Sequence, residues 1–349
     1  MRHIKRWVAA VLCLVLIAAL AGCGEAAVSQ SEIFAMDTVM WLTAYGKNRE
    51  AGLSAAEGVI RSMDSMLDPE RDTSITYAIN HANGESVSIP GQVARMISTA
   101  QQVYRQSNGA LDLSIYPLVL RWGFYGRGEQ KPNRVPSEQE IYDCLQLRCF
   151  DQVDLRSFPN GSHTVSLPNY GQLTFAAVAK GCTAAYAIDA MRNAGVTSGI
   201  ISLGGNVQTL GVKPDGKLWR VAITDPNNTS SSVGTVDVGE MAIVTSGPYQ
   251  RNFTDAYGRF YHHILRPNSG YPVSNTLSSV TILCQDGTMA DCLSTAMFVL
   301  GETAAINYWR TYGGFEMILI TNENKIICTS GLIENFTLTN SYYTVTYTE

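Results

Sequence analysis

The chain has 349 residues, of which 46% are hydrophobic, so it can bury a large core as one or two domains. Its formal net charge is −5, from 25 basic and 30 acidic side chains, and no basic run is present, so the sequence predicts no nucleic-acid partner. Neither the G-x-G-x-x-G pattern of a Rossmann site nor the P-loop pattern occurs.

The first 22 residues have the composition of a targeting segment. Three basic side chains precede the apolar run 7–21, which is too short to span a bilayer comfortably. The run ends in LAGC (20–23), which resembles a bacterial lipoprotein signal, so we expect residues 1–22 to be removed and Cys23 to carry lipid. An ordinary signal peptide or an N-terminal anchor helix is the alternative.

Lipidation at Cys23 would place the protein at the cell membrane, lipid-anchored and facing the extracytoplasmic side. Removal of the leader takes away three positive charges and no acidic ones, so the formal net charge falls from −5 to −8. We predict that residues 23–33 form a polar tether and that residues 34–340 form the folded domain.

The remaining cysteines show neither a C-x-x-C pair nor a zinc spacing. Their apolar surroundings favour buried free thiols, although a Cys144–Cys149 disulfide is an alternative in an exported protein. Apart from Cys13 in the leader and Cys23, the cysteines are Cys144, Cys149, Cys182, Cys284, Cys292 and Cys328.

Helical and strand-like segments alternate along the chain, and a long exposed loop is predicted at 125–136. The predicted helices are 51–66, 93–106 and 184–194, the last ended by Gly195. The predicted strands are 38–45, 199–203, 219–224, 241–245, 280–284, 315–321 and 326–330. Because many strands have hairpin-like spacing in the second half, we predict a mixed α and β (α+β) fold with antiparallel or mixed sheets packed with helices.

Asp291 and Thr295 are four residues apart in a predicted helix, so their side chains lie on one face. A carboxylate and a hydroxyl on one face supply half of an oxygen-ligand site for a hard cation such as Mg²⁺. Asp291 has an alternative role as the N-cap of a helix spanning 292–300, whose end Gly301 marks. The spacing leaves both roles open.

Two further polar segments have open roles. Lys180 follows an apolar, strand-like run, where a lysine is either exposed at the strand end or positioned to neutralise a phosphate. Gly204 and Gly205 follow a predicted strand and indicate a turn more often than a ligand site.

His263 is a candidate base or phosphate partner, because an imidazole titrates near neutral pH. His262 points the other way if the segment is extended, so it ranks second. Trp122 and Phe124 are either core aromatics or the flat apolar walls of a site for a planar ring.

Seven stretches of the chain share their pattern with one known family: MDT (36–38), GALDLSIYPLVLRWGF (109–124), AAVAKG (176–181), LGGN (203–206), TSGPYQRNF (245–253), HHILRPNSGYPV (262–273) and DCLSTAMFVLG (291–301). Together they resemble the ApbE family of FAD:protein FMN transferases, from about residue 34 to about residue 338. The resemblance implies an ApbE-like fold and Mg²⁺-dependent transfer of FMN from FAD to a threonine of an acceptor protein. The FMN is then held by a phosphoester bond, and AMP is released.

The resemblance also implies roles for individual residues. Asp291, Thr295 and the carbonyl of Ala177 would bind Mg²⁺, and His263 would be catalytic. Residues implied to contact FAD are Met36, Trp122, Gly123, Phe124, Thr174, Lys180 and Leu265. The implied partners are FAD and an acceptor that is a flavin-linked membrane redox subunit or an extracellular flavoprotein.

Three carboxylates that are usual in the family are replaced here, by Thr174, Ala185 and Arg266. Their loss bears on contacts to the nucleotide and keeps two alternatives open. One is an FAD pyrophosphatase in which water replaces the threonine, and the other is a non-catalytic flavin-binding lipoprotein.

Overall fold

A computed structural model describes residues 26–125 and 133–349 of the chain. The predicted signal peptide and the lipid site at Cys23 lie outside these residues, as does most of the predicted loop at 125–136. Within the described ranges, no helix combines the length and the apolar character that crossing a bilayer requires.

The described residues form eight α-helices and seventeen β-strands. The helices are α1 Arg49–Leu67, α2 Ile75–Asn80, α3 Gly91–Gln106, α4 Tyr116–Trp122, α5 Glu138–Leu145, α6 Ala179–Asn193, α7 Gly287–Leu300 and α8 Glu302–Tyr312. The strands are β1 Val28–Ala35, β2 Thr38–Tyr45, β3 Val87–Ile89, β4 Asp154–Ser157, β5 His163–Ser166, β6 Gly199–Leu203, β7 Asn206–Leu210, β8 Trp219–Asp225, β9 Asn228–Val238, β10 Ala242–Ser246, β11 Asn252–Thr254, β12 Phe260–His262, β13 Leu277–Cys284, β14 Glu316–Thr321, β15 Lys325–Thr329, β16 Phe336–Leu338 and β17 Thr344–Thr348.

A nine-stranded sheet organises the molecule, in the order β1-β2-β6-β7-β10-β13-β14-β15-β17. Its neighbouring strands are antiparallel except β15 and β17, which are parallel. Smaller sheets are formed by β11-β12, by β16-β9-β8 and by β3-β5-β4. The predicted mixed α and β fold with antiparallel or mixed sheets is therefore confirmed.

Both faces of the central strands of this sheet are buried, and β14 shows how. Met317 and Leu319 pack into the core that contains helices α3 and α7. Ile318 and Ile320 point to the opposite face, where the β16-β9-β8 sheet covers them. Since successive side chains of a strand alternate between faces, a continuous apolar run is what a strand buried on both sides requires.

The folded domain is longer at both ends than the predicted 34–340. Strand β1 begins at Val28 and pairs with β2 from Val28 opposite Tyr45 to Ala35 opposite Thr38. Residues 28–33 therefore belong to the sheet and not to the predicted tether. At the other end β17 extends the sheet to Thr348.

The structure also decides between free thiols and a disulfide at the cysteines. Of the cysteines in the described part of the chain, all are buried and free, including Cys144 and Cys149, so the alternative disulfide is absent. Burial in apolar surroundings raises the pKa of the Cys149 thiol to about 11, which keeps it protonated and unreactive at neutral pH.

Candidate functional site

A cavity at the start of helices α6 and α7 collects most of the predicted site residues. The predicted residues that line it are Met36, Phe124, Thr174, Ala177, Lys180, His263, Leu265, Asp291 and Thr295. They come from parts of the chain far apart in sequence, and only the fold brings them together. Trp122 and Gly123 are not among the lining residues.

Asp291 is not the N-cap of its helix. Helix α7 begins at Gly287, and the side chain of Asp286 accepts hydrogen bonds from the backbone N–H groups of Thr288 and Met289. Asp286 therefore satisfies the free N–H groups that a cap must satisfy, and Asp291 lies inside the helix. The capping role considered for Asp291 is excluded.

The Asp291 carboxylate is buried at the wall of the cavity and holds two hydrogen bonds. The backbone N–H of Gly181 donates to Oδ2 at 2.7 Å, and Nδ2 of Asn206 donates to Oδ1 at 3.1 Å. Burial raises the pKa of Asp291 above its usual value, while the Lys180 charge and these hydrogen bonds act in the opposite direction. A cation in the cavity would further favour the ionised carboxylate.

Gly181 allows this arrangement because α6 and α7 touch at their first turns. A Cβ atom at Gly181 would lie 2.1 Å from the Gly287 carbonyl oxygen and 2.6 Å from Cβ of Asp291. No larger side chain fits without separating the helices. The glycine of the Lys-Gly pair therefore sets the distance at which its own N–H reaches Asp291.

The residues that share the cavity wall with Asp291 carry oxygen atoms, the ligand type that Mg²⁺ prefers. Thr295 lies one helical turn after Asp291, and its Oγ1 is 3.4 Å from Oγ of Ser246. Ala177 lines the same cavity. Across the described ranges no cluster of three or more His, Cys, Asp or Glu side chains could hold a metal ion. A single carboxylate with neutral oxygens suits Mg²⁺, which usually keeps several waters and binds substrate phosphates.

Lys180 lies in the first turn of α6 and lines the cavity. The run before it is not a strand, because residues 173–178 form an irregular segment and a turn. After burial, which is the larger effect on both residues, the Lys180 charge favours the ionised form of Asp291 and the neutral form of His263. An anion bound in the cavity would meet the same positive charge.

His263 lines the cavity with one ring nitrogen free to accept a proton. Its Nδ1 lies 3.1 Å from the Arg251 carbonyl oxygen, which can only accept, so Nδ1 carries the proton. Burial, followed by the charge of Lys180, lowers the pKa of His263 to about 3. The imidazole is therefore neutral at pH 7 and retains a lone pair on Nε2.

His262 has a structural role. Its Nε2 donates to the Val273 carbonyl at 2.9 Å, and its Nδ1 accepts from the backbone N–H of Ile264 at 3.3 Å. Both ring nitrogens are used, and the side chain is buried against Phe298.

The aromatic triplet 122–124 contributes one ring to the cavity. Trp122 is fully buried, and its Nε1 donates to the Gly270 carbonyl at 2.8 Å. Its ring stacks behind Phe124, with 6.2 Å between centroids. Gly123 ends helix α4 with φ +75°, a conformation that favours glycine. In this structure, then, Trp122 and Gly123 support Phe124 and do not line the cavity.

Met36 reaches the cavity from a tight turn between β1 and β2. Met36 and Asp37 both have positive φ, at 49° and 57°, which is costly for residues with side chains. The Met36 N–H donates to Oδ1 of Asp64 at 2.8 Å, which helps to hold the turn. Gly204 and Gly205 form the similar β6-β7 turn, also with positive φ, so their interpretation as a turn is correct.

Several lining residues were not predicted. Asp37 forms an ion pair with Arg251 at 3.6 Å, and both line the cavity with Asp64 and Asn206. Arg251 and Asn206 lie within stretches that carry the family resemblance, which was the available signal. Asp64 had no signal, because it is one of several polar residues along an amphipathic helix.

Comparison with known proteins decides the family. The ApbE family matches residues 36–319, which is most of the chain. The chain belongs to the ApbE family. An FAD:protein FMN transferase of Klebsiella pneumoniae is 32% identical over 301 residues, covering 85% of this chain and 90% of the relative. An Escherichia coli K12 protein of the same name is 30% identical over 266 residues, covering 74% of each chain.

Solved structures of ApbE proteins share the fold. The ApbE protein of Thermotoga maritima superimposes with a TM-score of 0.78 at 25% identity, covering 88% of this chain and 98% of that one. The apo flavinyl transferase ApbE of Pseudomonas stutzeri gives a TM-score of 0.73 at 26% identity, covering 91% and 95%. The predicted family, its fold and its class as a transferase enzyme are therefore confirmed.

Proposed function

We propose that this ApbE protein transfers FMN from FAD to a threonine of an acceptor protein, with Mg²⁺ and with release of AMP. One observation carries the proposal. A buried carboxylate, Asp291, lines the same cavity as the Lys180 ammonium and the neutral His263 imidazole. The names of the relatives, FAD:protein FMN transferase, support the transfer of FMN from FAD to a protein.

The chemistry follows from the groups that line the cavity. Asp291, Thr295 and the Ala177 carbonyl would hold Mg²⁺, which would neutralise charge on the FAD pyrophosphate. Lys180 adds a second positive charge near the phosphates. Phe124 provides an apolar wall against which the flavin ring can pack.

The proposed transfer moves one proton, forms one P–O bond and breaks another. His263 Nε2 takes the proton from the acceptor threonine hydroxyl. The hydroxyl oxygen forms a bond to the phosphorus of the FMN half, and the bond from that phosphorus to the bridging oxygen breaks. AMP leaves with the bridging oxygen.

The test is a transfer assay with the full-length chain in detergent, FAD, Mg²⁺ and a candidate acceptor. Transfer predicts that the intact mass of the acceptor rises by one FMN while an equal amount of AMP appears. AMP release without any acceptor would favour the pyrophosphatase alternative. FAD binding without AMP under any condition would favour a non-catalytic flavin-binding protein.

Asp291→Asn tests the metal site. The substitution removes the charge of a hard-cation ligand with little change of shape, so transfer at limiting Mg²⁺ should fall by orders of magnitude while the fold is retained. Asp286→Asn, at the N-cap of the same helix, is the matched control. Because asparagine is also a good N-cap, transfer should be unchanged. Equal activity of the two variants would remove Asp291 from the metal site.

We also propose that the protein acts at the cell membrane on its extracytoplasmic side, anchored by acyl chains on Cys23. The basic residues, the apolar run and the LAGC sequence support this location. The acceptor would then be a flavin-linked membrane redox subunit or an extracellular flavoprotein.

A further inference from the structure

A two-stranded hairpin, β11-β12, connects two residues of the cavity wall. Arg251 lies immediately before β11, and His263 lies immediately after β12. Main-chain hydrogen bonds join Arg251 to His263 at 3.1 Å and Asp255 to Arg259 at 3.0 Å. The hairpin therefore begins and ends at the cavity, and none of its residues 252–262 lines it.

Among the described residues, the outer edge of β11 is open. Arg251 and Asp255 form main-chain hydrogen bonds across the hairpin, and residues that bond in this way alternate with residues that do not. The backbone N–H and C=O groups of Asn252 and Thr254 therefore point away from β12. Both residues are exposed, and in the described parts of the chain no other strand pairs with β11. An open strand edge is a template for pairing with another chain.

The β12 side of the hairpin is different. His262 is buried, is hydrogen-bonded to the Val273 carbonyl and packs on Phe298. The next residues continue into the molecule, where the Val273 N–H donates to the Ile264 carbonyl at 2.9 Å. Of the two edges, that of β12 is therefore covered at its His262 end, whereas both outward-facing residues of β11 are exposed.

The hairpin is held in shape without a partner. Oδ1 of Asp255 accepts the N–H groups of Tyr257 and Arg259, both at 2.9 Å, and Oδ2 accepts from Nε of Arg259 at 3.0 Å. At its base, the rings of Phe253 and Tyr261 pack on Trp122. A rigid edge loses little conformational freedom when a second chain binds to it.

We propose that the acceptor protein docks by adding an extended segment to the open edge of β11, as a third strand. This deepens the proposed function and rests on it. Main-chain bonds to Asn252 and Thr254 would hold the segment, and its end would pass Arg251 to place the target hydroxyl near His263 Nε2. Binding of this kind gives affinity through the main chain and selectivity through alternate side chains.

The side chains around the edge indicate what the segment carries. Phe260, opposite Thr254 on the same face, is 53% exposed, and Tyr257 at the hairpin tip is 84% exposed. An acceptor residue beside Thr254 would cover part of Phe260. We therefore infer an acceptor segment that is extended and has an apolar residue on that face.

The first test replaces one main-chain donor at the edge. Thr254→Pro removes the outward N–H, and proline is tolerated on an edge strand, whereas Thr254→Val changes the side chain and keeps the N–H. The probe is a recombinant acceptor domain with one target threonine, produced free of flavin. We expect Thr254→Pro to raise the acceptor KM by about tenfold with kcat little changed, and Thr254→Val to stay within about twofold of the parent.

FAD affinity and AMP release without acceptor should be the same in both variants and the parent, because Thr254 does not line the cavity. If Thr254→Pro loses FAD affinity as well, the substitution has disturbed the hairpin itself. Amide hydrogen exchange on the parent then tests the docking proposal without that variant. The Asn252 and Thr254 amides should become protected when the acceptor is added. An unchanged acceptor KM in a variant that keeps its FAD affinity, or unprotected edge amides at saturating acceptor, would overturn the proposal.

The proposed function and the docking proposal are contradicted by different results. If the parent chain does not flavinylate the acceptor domain, the proposed function fails, and the docking proposal that rests on it fails too. If the parent transfers FMN and neither edge test responds, only the docking proposal fails.

Discussion

Two adjacent histidines have opposite environments, and the difference depends on what each ring nitrogen contacts. His262 uses both nitrogens within the fold, whereas His263 uses only Nδ1 and keeps Nε2 for the cavity. The Arg251 carbonyl thus sets the tautomer of His263, as a positioning group sets the tautomer in many acid–base sites. The neighbouring histidines His262 and His263 therefore have separate roles.

His263→Ala tests the catalytic role at this scale. If His263 removes the threonine proton, transfer should fall by about 10²–10⁴-fold, the usual worth of a positioned base, while FAD affinity stays within a few-fold. Fluorescence titration of FAD and AMP release on the same sample measure both quantities. A variant that transfers normally would exclude the general-base role, and one that only loses FAD affinity would make His263 a phosphate contact.

The pH dependence of transfer has a defined sign. A base acts in its neutral form, and the pKa of His263 lies well below 6.5 because of burial and the Lys180 charge. The neutral form therefore persists as pH falls through 6.5, and the acid limb of kcat/KM should lie below that value. An acid limb at or above pH 6.5 that disappears in His263→Ala would show that the imidazole titrates as an exposed group does.

At the scale of elements, the contact between the first turns of α6 and α7 sets the position of Asp291, the carboxylate of the proposed metal site. Gly181→Ala would force the helices apart, because its Cβ would meet the Gly287 carbonyl at 2.1 Å. We expect the free energy of unfolding to fall by about 1–3 kcal/mol. Mg²⁺-dependent transfer should fall by a larger fraction, because the hydrogen bond from the Gly181 N–H to Asp291 lengthens.

Urea unfolding and a Mg²⁺ titration of activity measure the two effects. Gly58→Ala is the matched control, because Gly58 is an exposed helical glycine with no atom within 4 Å of its Cβ position. It should be neutral or gain up to about 1 kcal/mol from helix propensity. If both variants had the same unfolding free energy and the same Mg²⁺ dependence of activity, the helix contact would have no effect on the proposed metal site.

Some elements could be predicted from sequence because their signals are local. Strands β2 and β6 have the predicted bounds, 38–45 and 199–203, since short apolar and β-branched runs favour strands. Strand β1 was missed because its polar residues lie on an exposed edge and resemble a tether. The capping role of Asp291 was wrong because Asp286 has the same chemistry five residues earlier, and only the helix start distinguishes them.

The site was less predictable than the elements because it forms through long-range contacts. Family resemblance gave Asp291, Thr295 and His263, but it did not distinguish a ring that lines the cavity, such as Phe124, from one that supports it, such as Trp122. That distinction depends on burial by Phe253 and Tyr261, which lie far away in sequence.

At the scale of the whole molecule, a substitution of Cys23 tests the proposed membrane anchor. Cys23→Ser should abolish labelling by a radioactive fatty acid and release the protein from the membrane fraction or leave it uncleaved. Cys13→Ser, inside the predicted leader, is the control and should be labelled like the parent. Labelling of Cys23→Ser at the level of the parent would contradict a lipid anchor at this residue.

The pairing of β2 with β6 constrains the order in which the chain can fold. Met40 pairs with Leu203, so more than half of the chain must be synthesised before the β1-β2 hairpin finds its neighbour. Closing so long a loop costs entropy before any contact repays it, which slows folding. Until then β2 exposes a strand edge that can pair with other chains, so we expect slow folding and a transient need for protection against aggregation.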